Sequence, residues 1–422
     1  MTRRPFDVVL WGCTGFTGQL VARYFANRVA KRVPSLKWAL AGRSLDKLQN
    51  LADSLGGVDV LVADVQAQAD VDKVAASTRV VLSTAGPFAL YGTPLVDACI
   101  RSCSDYVDIN GETGWHRSMI DQYDDAAQRA GVVLVPSSGF DSIPSDLGAL
   151  WMARRVFEAS GLPTRRVSCY AEMHGALSGG TVASGINSEL SAGAALDNPF
   201  LLGGEPWSIA GAVDPAHDDL THASFDPVIK AHVAPFGMAK INTRIVRRSI
   251  GLLEEHAPTA HAEIFSPDFC YRECLLAPDE AAAIKMARAA QVPPSKLSDL
   301  VAAGRLPAPG GGPDAATRDK SWFRYTLIAE ADGPAGASGN VSFKLCGRVS
   351  GGDPGYDETA KMVSETAVML ATQRGDLDEE GAGLVQRAGF LTPATALGAR
   401  LRERLHEEGI RFDEQPLPPQ CL

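Results

Sequence analysis

The residues of this 422-residue chain best suited to chemistry begin with a glycine string, Gly12-Cys13-Thr14-Gly15-Phe16-Thr17-Gly18. Backbone without side chains can turn tightly and approach a charged group. Gly12 therefore suits a tight turn, Gly15 a close approach to a diphosphate, and Gly18 close packing of a helix on a sheet. A helix starting here would aim unpaired N–H groups and the positive end of its dipole at the same anion. Alone the string is a weak signal, because glycine is common in turns that bind nothing. Downstream, Arg43 and Ser44 offer a guanidinium and a hydroxyl able to grip a phosphate monoester. A second group, Tyr91, Glu112, Asp141 and His174, carries side chains that can give or take a proton.

The elements around these residues supply the context the string lacks. Short apolar runs at Phe6–Trp11, 36–41, 58–63, 79–84, 105–109 and 132–136 read as buried strands. Between them lie helical stretches at 19–31, 45–55 (Ser44 as N-cap), 68–77, 93–102 and 113–130, the last stopped by Gly131. Strands alternating with helices of this length pair in parallel through right-handed crossovers. The expected fold class is α/β: an N-terminal doubly wound (Rossmann) parallel sheet plus a second mixed α/β substrate domain. The glycine string leaves the first strand and opens the first helix, which is the setting of a dinucleotide site.

The tip of the second strand distinguishes the two nicotinamide cofactors. An NAD site places Asp or Glu there for the ribose 2′-hydroxyl, whereas this chain reads Leu40-Ala41-Gly42-Arg43-Ser44. NADP(H) is the expected cofactor, with Arg43 and Ser44 at its 2′-phosphate; the plainer alternative is an arginine capping the sheet edge. Asp64, past the third strand, is expected at the adenine end. Ala85, Gly86 and Pro87, after the fourth strand, are expected at the nicotinamide half.

After Pro144 the alternation changes. Helices are expected at 145–160 and 181–195, strands at 165–174, 239–248, 322–331 and 340–349, and loops over 197–236 and 307–319, the latter mobile. The last two strands would be joined by the turn at 332–339. Helices at 357–373 and 395–407 close the chain. The organisation expected is a Rossmann NADP-binding domain at 1–145, a substrate domain at 146–355, and C-terminal helices at 356–422 packing back on the first domain. Arg244, Arg247 and Arg248 form the densest basic cluster. As a strand, this segment would put Arg244 and Arg248 on one face, an anion site or a solvated edge.

The formal charge of −10 argues against nucleic-acid partners. No apolar run reaches the ~18 residues of a membrane span, and Met1-Thr2-Arg3-Arg4-Pro5 leaves no room for a signal peptide, so a cytoplasmic protein is expected. Peripheral membrane contact and a homodimer stay open. The pairs Cys99/Cys103 and Cys270/Cys274 do not form a matched ligand set, and no metal is expected. None of the eight tyrosines has lysine four residues on, which excludes the short-chain dehydrogenase proton relay.

These motifs resemble a family. The glycine loop, Ala-Gly-Arg-Ser (41–44), Ala-Gly-Pro-Phe (85–88), Tyr-Val-Asp-Ile-Asn-Gly-Glu (106–112) and Gly-Phe-Asp-Ser-Ile-Pro-Ser-Asp (139–146) look like saccharopine dehydrogenase-like oxidoreductases. The stretches at 178–184, 239–249 and 355–362 look more specifically like the bacterial trans-acting enoyl reductase branch. The resemblance implies NADPH-dependent reduction of a carbon–carbon double bond on a small-molecule or carrier-bound acyl substrate. Cys13 stands where such loops usually carry alanine or another small residue. An enoyl reductase needs hydride delivery, stabilisation of the developing enolate and a proton donor. Tyr91, Glu112 and Asp141 near the sheet edge, with His174 reaching in from the second domain, are the candidates. Each has a plainer reading: packing for Tyr91, a helix cap for Glu112, a loop tie for Asp141, an ordinary strand residue for His174. The Gly179-Gly180-Thr181 helix start could hold a carboxylate or a phosphopantetheine phosphate. A saccharopine-type amino-acid dehydrogenase and a non-catalytic NADP(H)-binding sensor or scaffold are the competing functions.

Overall fold

The computed structural model describes residues 4–192, 196–204, 215–291, 293–308, 310–333, 341–377 and 388–421. Its first sheet contains β1 (Phe6–Trp11), β2 (Trp38–Gly42), β3 (Asp59–Val62), β4 (Thr78–Ser83), β5 (Asp105–Asp108) and β6 (Val133–Val135). Alternation along the inner strands buries both faces, while the edge strand β3 is partly exposed. Val8 and Leu10 of β1 point into one core layer, and Val9 and Trp11 into the other. Serine and glycine mark helix ends where the sequence places them: Ser44 caps Leu45–Ser54, and Gly131, at φ 68°, ends Thr113–Ala130 in a conformation that favours glycine.

The second half of the chain builds a mixed sheet from β7 (Thr164–His174), β8 (Ser224–Asp226), β9 (Ala231–Ala234), β10 (Phe265–Leu276), β11 (Trp322–Asp332) and β12 (Val341–Gly351). Two strands from the end of the chain complete the pair. β13 (Gly389–Phe390) joins the first sheet beside β6, and β14 (Arg411–Gln415) joins the second beside β12. Among the described residues the strand orders are β13-β6-β5-β4-β1-β2-β3, all parallel, and β14-β12-β11-β7-β10-β9-β8, in which only β7 and β10 pair in parallel. The doubly wound first sheet and mixed second sheet match the expectation. In the first sheet the strand order reverses between β1 and β4, which opens a crevice at their C-terminal ends.

Helix Ile143–Ser160 joins the two sheets, and Thr359–Leu377 packs on the first helix and on β1, β4 and β5. The C-terminal region is not confined to the first sheet, since helix Gly398–Glu407 contacts both Ile143–Ser160 and β14. A polar node ties these parts together. Asp146 is 1% exposed; its carboxylate accepts from the Ser249 hydroxyl and from the Ala394 N–H at 2.8 Å, while Ser249 also meets the Thr392 hydroxyl at 2.6 Å. Among the described residues, no helix is long and apolar enough to cross a membrane.

One expected element is wrong. Residues 239–248 are not a strand but the start of helix Ala239–His256. Arg244, Arg247 and Arg248, spaced i, i+3, i+4, share one helical face and are buried. Their guanidiniums donate to main-chain carbonyls of Leu196, Pro199, Leu202, His217 and Phe390, and Arg244 pairs with Asp219. They form neither an anion site nor a solvated edge: they hold the turns around 196–204 and 217 against the helix. The loop expected over 197–236 contains β8, β9 and a turn at Pro215–His217, and its residues 205–214 lie outside the described residues. Most of the turn expected at 332–339 lies outside them as well.

Replacing Asp146 with Ala leaves the buried Ala394 N–H short of an acceptor, whereas the Ser249 hydroxyl keeps the Ile245 carbonyl at 3.1 Å. The expected loss is about 1–3 kcal/mol of unfolding free energy, the cost of one buried donor left unmatched. A fall in the urea midpoint at unchanged m-value would register it.

Candidate active site

The glycine loop sits at the β1–β4 crevice. Gly12 has φ 79°, and a Cβ there would lie 2.9 Å from both the nitrogen and the Cβ of Ala85. A Cβ on Gly18 would run into the Gly12 carbonyl and come within 2.8 Å of Thr84 Oγ1. These two glycines let the loops after β1 and β4 touch. Gly15 stands exposed between them as the N-cap of helix Phe16–Tyr24, with no side-chain cap and no acidic residue in the first turn. The helix therefore presents its first N–H groups to whatever enters the crevice. Thr14 and Thr17 are half-buried beside it.

Cys13 points the other way. It is buried, its thiol contacts the Ala41 carbonyl at 3.5 Å, and burial pushes its pKa up to about 12. The Phe16 ring is held edge-on by Tyr356 at 5.0 Å, with the Arg318 guanidinium 5.8 Å from the ring centre and Gly312 pressed against it. The segment expected to be mobile at 307–319 is thus docked on the loop at its far end, because Gly312 has no side chain to keep it off the ring. At the end of β2, Arg43 is exposed, and Ser44 Oγ accepts from the Lys47 N–H at 3.5 Å. No hydrogen bond or ion pair among the described residues engages the Arg43 guanidinium. Asp64 accepts from the Gln66 N–H at 3.0 Å and so shapes its own turn at the end of β3.

Glu112 is the best-connected of the expected acids. It is 1% exposed and accepts from the Phe88 N–H at 2.7 Å, the Ala89 N–H at 2.9 Å and the Ser184 hydroxyl at 3.0 Å. The carboxylate thereby caps the short helix Phe88–Tyr91 that follows Ala85, Gly86 and Pro87. Ser184 belongs to helix Gly179–Ala192 of the second half, so one side chain ties both halves to this loop. The cap expected of Glu112 does exist, but on a different helix from the one it precedes.

Asp141 follows β6 and lies against Gly111, where a Cβ would come within 2.9 Å of Asp141 Oδ2 and 3.3 Å of Ile241 Cδ1. No cation or hydrogen-bond donor engages the carboxyl among the described residues, and burial raises its pKa to about 6. Tyr91, 37% exposed, and His174, exposed at the end of β7, make no contact with Glu112 or Asp141 among the described residues. The four candidates do not form one constellation. The Gly179-Gly180-Thr181 turn also offers little to an anion. Its Gly179 N–H donates to the Gly311 carbonyl at 3.0 Å and its Thr181 N–H to Ser178 Oγ at 3.2 Å, while the Ser178 N–H donates to the Tyr356 hydroxyl.

Sequence reasoning missed Asp108. This buried side chain accepts from the N–H groups of Asn110 and Ser137 and from the Tyr106 hydroxyl, each at 2.9 Å. Burial raises its pKa to about 7. It clamps the loop after β5 to the loop after β6 and so sets Gly111 against Asp141. A lone aspartate ending a strand carries no periodic signal, but two acids in Tyr-Val-Asp-Ile-Asn-Gly-Glu were a clue that one of them holds the loop.

A Glu112→Gln exchange tests the tie. The amide keeps the volume but turns an NH₂ toward one of two main-chain donors, and a buried donor left unmatched costs about 1–3 kcal/mol. The expected outcome is a loss of that size in chemical denaturation with the far-UV spectrum unchanged.

Comparison with known proteins accords with this geometry. Residues 8–135 match the saccharopine dehydrogenase NADP binding domain. A Mycobacterium tuberculosis protein provisionally named a trans-acting enoyl reductase is 33% identical over 436 residues, 97% of each chain. The trans-acting enoyl reductase of Mycobacterium ulcerans is 30% identical over 435 residues, again 97% of each. Among solved structures, apo saccharopine dehydrogenase (L-Glu forming) from Saccharomyces cerevisiae aligns over 97% of this chain and 100% of its own, with 14% identity and a TM-score of 0.45. With a glycine-built crevice in an NADP binding domain and full-length relatives at this level of identity, the chain belongs to the saccharopine dehydrogenase-like oxidoreductases, in their trans-acting enoyl reductase branch.

Proposed function

We propose that the protein uses NADPH to reduce the carbon–carbon double bond of an enoyl thioester, free or carrier-borne, with Asp141 as the proton donor. The observation that carries the cofactor half is the cradle at the β1–β4 crevice. Its Gly12 and Gly18 leave no room for a Cβ, and Gly15 opens a helix with no acidic residue in its first turn. That arrangement suits a diphosphate held by main-chain N–H groups of residues 14 and 16–18, the Gly15 N–H being taken by the Gly12 carbonyl. Arg43, exposed and unengaged beside the N-terminus of helix Leu45–Ser54, suits a 2′-phosphate, with Ser44 as its neighbour. The loop at Ala85, Gly86 and Pro87, held by Glu112, lines the nicotinamide end.

The substrate half draws support from the relatives named for enoyl reduction and from the chemistry of Asp141. The nicotinamide supplies a hydride to the β-carbon when bound. Saturation then needs one proton on the α-carbon. Asp141, with its pKa raised to about 6 and no cation beside it, can give that proton and recover another from solvent. Cys13 takes no part, since its thiol stays protonated and faces the sheet. Glu112 acts through the loop it holds rather than on the substrate.

Two measurements test the reading. Titration with NADPH and NADH by fluorescence should show NADPH bound more tightly, and Arg43→Ala should weaken NADPH roughly ten- to a hundredfold, the equivalent of losing a charge-assisted contact of ~1.5–3 kcal/mol. Failure to bind either nucleotide would overturn the oxidoreductase assignment. With an enoyl thioester, kcat should fall as pH rises through about 6, because the donor must start protonated. Asp141→Asn should lower kcat by roughly 10²–10⁴ and leave the NADPH Kd unchanged.

A further inference from the structure

The second sheet turns a cation toward a cavity on the face away from helix Ile143–Ser160. Gly347 and Val349 of β12 face that helix: a Cβ on Gly347 would meet Trp151 and Met152, and Val349 lies against Gly148. Alternation therefore turns Cys346 and Arg348 to the opposite face. The register sets Arg348 across from Thr326 of β11, and Cys346 across from Gln415 of β14. Residues directly opposite share a face, so three neighbouring strands bring a hydroxyl, a guanidinium and a carboxamide together.

A cavity of about 360 Å³ opens over them, within the ~300–1,000 Å³ of ordinary ligand sites. The tail beyond β14 forms another wall, where Pro416 and Pro418 cannot extend the sheet and Gln420 adds a second carboxamide. Ile229 and Leu276 stand among the apolar residues of the remaining side. Among the described residues no carboxylate lines the cavity. Burial pushes the Cys346 thiol up to about 11, so it adds no negative charge either. The carboxylates nearest along the strands have cations of their own. Asp413, across from Arg348 on β14, pairs with Arg411 at 3.2 Å, and Glu330 of β11 pairs with Lys344 at 3.2 Å.

Among the described residues, no hydrogen bond or ion pair engages the side chains of Thr326, Arg348, Gln415 or Gln420, and Arg348 Nε is buried without a partner. A buried N–H lacking an acceptor is costly, and an anion in the cavity would remove that cost. We infer that the cavity binds a small organic anion, a carboxylate or phosphate monoester on a compact apolar body. Arg348 takes the charge through its Nε–H and one Nη–H, a paired geometry that a guanidinium offers and an ammonium does not. Thr326 and the two carboxamides serve the remaining oxygens, and the side built from Ile229 and Leu276 holds the carbon skeleton. None of the lining residues belongs to the β1–β4 crevice or to the loop of Asp141, so the site is separate from the proposed reaction. Because β14 and the tail wall the cavity, occupancy fastens the end of the chain onto the second sheet.

Calorimetric titration of the full chain, with NADP+ present to fill the crevice, tests the assignment. Phenyl phosphate or benzoate should bind about tenfold more tightly than benzyl alcohol, which keeps the shape without the charge. Arg348→Met, which retains the stem and removes the charge, should cut that preference below about threefold and leave the NADP+ affinity at the wild-type value. Gln420→Ala, on the exposed tail, should weaken the anion roughly two- to fivefold and remains informative if Arg348→Met fails to fold. Hydrogen exchange over residues 411–421 should slow when the anion is added. Equal affinities for anion and alcohol, no binding of either anion, or a preference that survives Arg348→Met would overturn the site. So would exchange at 411–421 or an affinity left unmoved by Gln420→Ala. Inorganic phosphate bound as tightly as phenyl phosphate would also overturn it, because the apolar side would then contribute nothing.

Discussion

The site depends first on where the carboxylate of Glu112 finds its hydrogen bonds. A buried carboxylate without a cation is stable only where donors replace the water it has lost. Here two main-chain N–H groups and one hydroxyl do so. Each donor belongs to a part that must not drift. Phe88 and Ala89 begin the short helix after the β4 loop, and Ser184 comes from the other half of the chain. Satisfying one charge thus fixes the distance between the crevice of the first sheet and the helix that covers it. The Ser184 hydroxyl would lie 3.2 Å from a Cβ at Gly86, so the covering helix sits directly on the loop it restrains.

Asp108 follows the same logic one strand further along. It collects its donors from the ends of β5 and β6, and the two loops it joins carry Gly111 and Asp141. The three acids differ in the partners they find. Glu112 and Asp108 are saturated with donors and hold structure. Asp141 accepts no hydrogen bond among the described residues, and burial raises its pKa to about 6, as it raises that of Asp108 to about 7.

The first sheet was legible because its signals are local. Six apolar runs, a serine cap and a glycine stop each reflect the residues at that point in the chain, and all six strands appear within about two residues of their expected places. The glycine loop was legible for the same reason, since Gly12 and Gly18 answer to steric demands that any β–turn–α passage makes. The second half was harder to read. Ala239–Arg248 mixes apolar and basic residues so that alternation and helical spacing compete, and only the distant carbonyls that receive Arg244, Arg247 and Arg248 explain why the helix wins. β8, β9 and β13 are two to four residues long and exist through their partners, which leaves almost nothing to read in advance. The role of Glu112 was half visible: a cap was foreseeable, whereas its recipient is far away in the fold.

The positions of β13 and β14 carry a consequence for how the protein is made. Each sheet receives an edge strand from the last part of the chain, and Thr359–Leu377 covers a face of the first sheet that would otherwise be open. A ribosome delivers residues 1–351, with twelve of the fourteen described strands, before either sheet has its outermost member. Throughout that interval β6 and β12 present unpaired edges, and the apolar layer over β1 and β4 lies bare. Completion of both sheets therefore waits for the same late stretch of the chain, residues 352–421.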